Sequence, residues 1–132
     1  MQDFRNLIVW KRSHSLTKAV FHVAARIPGQ HRFALSDQIW RAASSIPTNI
    51  VEGTSRRSDR ETARFLEIAA SSAAELEYHL ELLIDLEVLP PAELLPLRAE
   101  AVAIRKMLNA FISRIRPSRR NNRADSIPTQ GS

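Results

Sequence analysis

The sequence predicts an all-α protein: an up-down-up-down antiparallel four-helix bundle. Three observations predict it. Four long segments carry apolar residues at steps of three and four, the spacing that draws a stripe down one helix face. Short breaks with Pro, Gly or Ser separate these segments. Glycine is scarce, at three residues in 132, and strand-type runs of Val, Ile and Thr are absent. Long amphipathic helices joined by short links pack as antiparallel neighbours around one core. Aromatics make up only 6% of the chain, so that core must be aliphatic. The length suits one domain, residues 1–116. A basic tail, 117–132, has almost no apolar residues and is expected to be disordered.

The first helix is expected from about Leu7 to Arg26, with Asp3 or Asn6 as candidate N-caps. Trp10, Ser13, Leu16, Val20 and Val23 follow heptad spacing along it, and Pro28-Gly29 ends it in a turn. The second helix starts between Phe33 and Ser36 and ends at Gly53. Leu35, Ile39, Ala42, Ala43, Ile46 and Ile50 form its stripe. Pro47 sits inside that stripe, where a proline removes a backbone hydrogen bond and costs about 3 kcal/mol or more. A stripe that continues past it implies a kinked helix held by packing. Gly53 is expected to supply a left-handed stop.

The third helix opens with a capping box, Ser58-Asp59-Arg60-Glu61, and meets no breaker before Pro90. One stripe runs through Phe65, Ala69, Ser72, Leu76, His79, Leu83 and Leu86. A second runs through Leu66, Ala73 and Leu80. So wide an apolar arc asks for more than one partner helix. On its polar side Glu77, Glu81 and Asp85 repeat every four residues. Like charges at that spacing repel by a few tenths of a kcal/mol, so cations from another helix or another subunit should face them. The fourth helix is expected from about Ala92 to Ile115, with Leu94, Leu97, Ala101, Ile104, Leu108, Phe111 and Ile115 on its stripe.

Net charge is +5, unevenly spread. Residues 1–66 carry eleven Lys and Arg against five Asp and Glu. Residues 67–113 carry three against eight, and residues 114–132 five against one. Such asymmetry points to a polyanion partner or to self-association of unlike faces. The sequence has no cysteine, which excludes disulfides, thiolate metal sites and a Cys nucleophile. Its N-terminus lacks the apolar run of a signal peptide or membrane span, so a soluble cytoplasmic protein is expected, without membrane association.

Catalytic constellations do not emerge. Without a glycine-rich loop there is no usual nucleotide cradle. Glu75 and His79 share a helical face, but a di-iron bundle needs Glu-x-x-His twice with two more carboxylates. His79 reads as a core or interface residue. Arg26 and His31 have the spacing of a ribonuclease motif of four-helix proteins, yet Pro28-Gly29 places a turn between them. A non-enzyme without cofactor or metal is the expectation. The remaining chemistry is basic. Arg56, Arg57, Arg60 and Arg64 gather at the start of the third helix, and Arg119, Arg120 and Arg123 lie in the tail. These could neutralise phosphates without reading sequence. Trp10 and Trp40 read as packing residues rather than base-stacking platforms.

The segment LIVWKRSHSLTKAVFHVAARIP, followed by QIWRAASSIPTNIVEGTSRRSDRETARFLEIAASSAAELEYHLELL, resembles a known family. Its members are bacterial four-helix-bundle proteins encoded by intervening sequences within large-subunit ribosomal RNA genes. The family includes accessory variability proteins of diversity-generating retroelements. The resemblance covers about residues 4–115. Its motif positions here are Arg41, Ser45, Pro47, Asn49, Glu52, Gly53, Arg57 and Glu75, with Trp40 and Ser71-Ser72 as mild departures. The resemblance implies a homopentamer with no established catalytic residues. For retroelement members it implies RNA or DNA and a reverse transcriptase as partners, met through basic surfaces. Arg41, Asn49, Glu52 and Glu75 are then expected to form a polar network at the helix kink or between subunits. Two functions follow. One is a non-enzymatic oligomeric adaptor that binds nucleic acid through arginines. The other is a protein-interaction scaffold that binds none, its charge asymmetry serving self-assembly.

Overall fold

A computed structural model describes residues 3–30 and 32–116. One 3-10 turn, Phe4–Asn6, leads into four helices: α1 (Ile8–Ala24), α2 (Arg32–Thr54), α3 (Asp59–Asp85) and α4 (Pro91–Ile115). Among the described residues there is no strand. Asp3 accepts the Arg5 amide and so caps the 3-10 turn rather than α1.

Side-chain contacts between helices fix the topology. On α1 and α2, Thr17 meets Ala43 while Ser36 meets Ala24. On α2 and α3, Ser45 meets Ser72 while Gly53 meets Thr62. On α3 and α4, Glu81 meets Arg98 while Glu67 meets Arg116. On α1 and α4, Arg12 meets Glu100 while Arg26 meets Glu93. In each pair one number rises as the other falls, so every neighbouring pair is antiparallel and α4 closes back on α1. Leu16, Val20, Ile39, Ile46, Ile50, Leu66, Leu76, Leu80, Leu94, Ile104 and Leu108 fill the centre. The core is aliphatic, as composition requires.

The wide apolar arc of α3 finds both its partners inside the protomer. Leu66, Ala69, Ala73, Leu76, Leu80 and Leu83 are buried between α2 and α4. Leu86 is exposed and drops out of the stripe. A neighbouring subunit is therefore not required to cover this arc.

Helix α2 runs unbroken through Pro47, which is buried. The proline withholds an amide from the carbonyl of Ala43, four residues earlier. That carbonyl instead accepts the Thr17 hydroxyl of α1 at 3.1 Å. The same hydroxyl lies 2.7 Å from the Ser13 carbonyl, so one proton serves both. Helix α1 thus compensates the lost bond from outside α2. Beside it, Ser45 and Ser72 hydroxyls join α2 to α3 at 2.8 Å, and the Asn49 amide donates to Ser45 Oγ at 2.9 Å.

Gly53 does not stop α2 in the left-handed region. It lies within the last turn of the helix and is buried. A Cβ built on it would sit 3.2 Å from the Thr62 carbonyl and 3.3 Å from Phe65 Cβ. Glycine is present because α3 passes too close for a side chain, and the Thr62 hydroxyl donates to the Gly53 carbonyl at 2.8 Å. Chain reversal falls to residues 55–58, after which Ser58 Oγ accepts the Glu61 amide at 3.2 Å, as the capping motif predicts. Gly29 (φ 91°) makes the expected turn between α1 and α2. At the end of α3 the left-handed position is taken by Glu87 (φ 55°). The amides of Glu87 and Val88 return to the Ile84 and Leu83 carbonyls in a Schellman arrangement.

Candidate nucleic-acid interface

The antiparallel order brings four chain ends together: the start of α1, the end of α2, the start of α3 and the end of α4. The 3-10 turn touches both α1 and α2. Asn6 and Leu7 share a groove with Phe111 and Arg114 of α4. Arg116 pairs with Glu67 of α3. Seven arginines meet at this end: Arg5, Arg56, Arg57, Arg60, Arg64, Arg114 and Arg116. Asp3, Glu52, Asp59, Glu61 and Glu67 offset them in part.

The arginines differ in what holds them. Arg56 pairs with Glu52 at 2.6 Å, one turn back on α2, and lies 4.7 Å over the Phe65 ring. Arg5 lies 4.5 Å over the Phe4 ring, and Arg114 lies 5.5 Å over Phe111. Arg57, Arg60 and Arg64 are exposed and have no ion-pair partner among the described residues. They sit where the first amides of α3 point outward and the helix dipole is positive, which adds to the attraction for an anion. Arg119 and Arg120 lie outside the described residues.

Other arginines are spent inside the bundle, while Lys11, Lys18, Arg32 and Lys106 are exposed. Arg98 and Arg105 of α4, and Arg116 just after it, reach Glu81, Glu77 and Glu67 of α3, Arg105 at 3.5 Å. The acidic row of α3 therefore meets cations from the next helix of the same chain, with Asp85 remaining exposed. Arg12 donates to Glu100 at 2.9 Å, and this hydrogen bond raises the pKa of the guanidinium above its ordinary value.

The four residues expected to form one polar network are not joined to one another within the protomer. Arg41 pairs with Asp37 at 2.9 Å, Glu52 with Arg56, and Glu75 with His79 at 3.5 Å. Each is a contact one turn along its own helix. Asn49 alone takes part in an interhelical set, through Ser45 and Ser72. Arg26 pairs with Glu93, and His31 lies outside the described residues. Trp10 packs on the core and stacks on His14, 4.8 Å between centroids. Trp40 is 40% exposed, edge-on to Phe21, beside a groove of about 370 Å³ lined also by Phe33 and Arg32. That groove lies at the opposite end of the bundle. Among the described residues no cluster of three or more His, Asp or Glu could hold a metal. No described helix is long and apolar enough to cross a membrane.

Two features escaped the sequence reading: the hydroxyl of Thr17, and the ring-backed arginines Arg5 and Arg114. The cations expected opposite the acidic row come from another helix, as Arg98 and Arg105 of α4.

Fold and charge together define a small all-α bundle protein with one basic end. The chain belongs to the 23S rRNA-intervening sequence protein family, whose model matches residues 5–110. It is also similar to a crystal structure from Bacteroides thetaiotaomicron VPI-5482, a protein with unknown function from the S23 ribosomal protein family. The two are 28% identical, with a TM-score of 0.75 over 80% of this chain and 98% of that one. No curated protein matches.

Proposed function

We propose that the protein is a non-enzymatic nucleic-acid-binding adaptor that works as a homo-oligomer. The observation that carries this reading is the contrast in pairing. Arg57, Arg60 and Arg64 are exposed at a helix N-terminus without carboxylate partners among the described residues, whereas Arg98, Arg105 and Arg116 are paired with carboxylates of α3. Unpaired guanidinium groups release counterions from phosphates on binding and give a steep salt dependence. The rRNA-linked family agrees with such a partner. The homopentamer and a reverse-transcriptase partner rest on the resemblance alone, and light scattering on the purified chain tests the first.

A salt titration of binding to generic RNA and DNA tests the reading. Replacing Arg57, Arg60 and Arg64 with Gln should lower the slope of log affinity against log salt by about one per arginine. Absence of binding at low salt would leave the alternative, a protein-interaction scaffold. The observation that favours it is the exposed aromatic groove formed by Phe21, Phe33 and Trp40 at the other end.

A further inference from the structure

The rings at the basic end say which form of nucleic acid it suits. Proteins that hold single strands combine a positive groove with aromatic faces on which bases stack. Here each partly buried ring already carries a guanidinium on one face. Arg5 covers Phe4, Arg56 covers Phe65 and Arg114 covers Phe111, at 4.5, 4.7 and 5.5 Å from the ring centres. Trp10 is taken by His14 on one side and meets the edge of Phe4. The most exposed aromatics stand elsewhere. Phe21, Phe33 and Trp40 are at the opposite end, and Tyr78 lies about three-quarters of the way along α3. The separation between ends approaches the length of α3, about 40 Å for its 27 residues.

A guanidinium laid on a ring also loses less freedom when it binds, because the ring already restricts it. It keeps N–H donors at its edge for phosphate oxygens. Arg114 is the clearest case, since no carboxylate competes for it among the described residues. Arg5 and Arg56 are shared with Asp3 and Glu52.

The geometry points to a surface that grips the phosphate backbone of double-stranded nucleic acid, with Arg57, Arg60, Arg64 and Arg114 as its contacts and no base stacked or read. This rests on the nucleic-acid reading above and narrows it. A duplex presents about one charge per 1.7 Å, more than a single strand, and asks for no unpaired base. A surface with charge but no open ring gains from the first and cannot use the second.

The full-length protein should be titrated with a duplex and with each of its separated strands, at several salt concentrations. The duplex should bind severalfold more tightly, independent of sequence. Its salt slope per contact should be about 0.9, against about 0.7 for the strand. Phe65→Leu and Phe111→Leu should leave strand binding within about twofold, whereas loss of a stacking ring weakens it about fivefold or more. Thermal melts would verify that both variants fold, and Arg114→Gln, which leaves the rings in place, should weaken the duplex. Equal or tighter binding of the strand, or a fivefold loss on removing either ring from a folded variant, would overturn the inference while leaving nucleic-acid binding intact. Failure of duplex and strand alike would overturn both.

Discussion

Two sets of arginines in this bundle have opposite fates. Along the α3–α4 seam, Arg98, Arg105 and Arg116 face Glu81, Glu77 and Glu67, and their charge is cancelled within the chain. At the α2–α3 corner, Arg57, Arg60 and Arg64 face solvent. The difference teaches that the positive net charge is not a uniform coat. The seam pairs Glu67, Glu77 and Glu81 of the acidic third quarter and leaves the corner exposed. Within the acidic row of α3, Glu77 and Glu81 already have cations from the same chain, and Asp85 has none among the described residues.

The corner depends on Gly53, whose replacement should have the largest effect on stability. Gly53→Leu forces a side chain against the Thr62 carbonyl and Phe65. It should cost about 3 kcal/mol, near the upper end for overpacking, read as a large fall in Tm. Sequence weakened where the corner was concerned. A glycine near the end of a stripe resembles a stop, and only the approach of α3 reveals it as a contact.

Next in size is Thr17→Val, which should cost about 1–3 kcal/mol by stranding the Ala43 carbonyl beside Pro47. Thr17→Ser should restore most of it. Neither change should alter nucleic-acid binding, because this site belongs to the body of the bundle and not to the corner. The proline and its stripe were legible in the sequence. The donor was not, since it comes from another helix and depends on the register between α1 and α2.

The seam itself should respond weakly. Arg98→Gln or Arg105→Gln should cost about 1 kcal/mol or less, and less still in high salt, since both pairs are partly exposed. Here the sequence carried half the answer. The spacing of Glu77, Glu81 and Asp85 demanded cations, and the fold supplied them from α4 for the first two. The helices, their order and the aliphatic core were legible because each rests on local periodicity. The arginine corner was legible as a cluster near the capping box. Its union with Arg5 and Arg114 needed the antiparallel closure of α4 on α1.

The most direct measurement compares the two sets in one assay. Salt-dependent affinity for a generic duplex should be determined for the parent chain, for the seam variant Arg98→Gln/Arg105→Gln, and for the corner variant Arg57→Gln/Arg60→Gln/Arg64→Gln. An interface built from the free arginines predicts that the corner variant loses about three from the salt slope while its Tm is little changed. It predicts that the seam variant keeps the parent slope. Equal loss in both, or an unchanged slope in the corner variant, would contradict it.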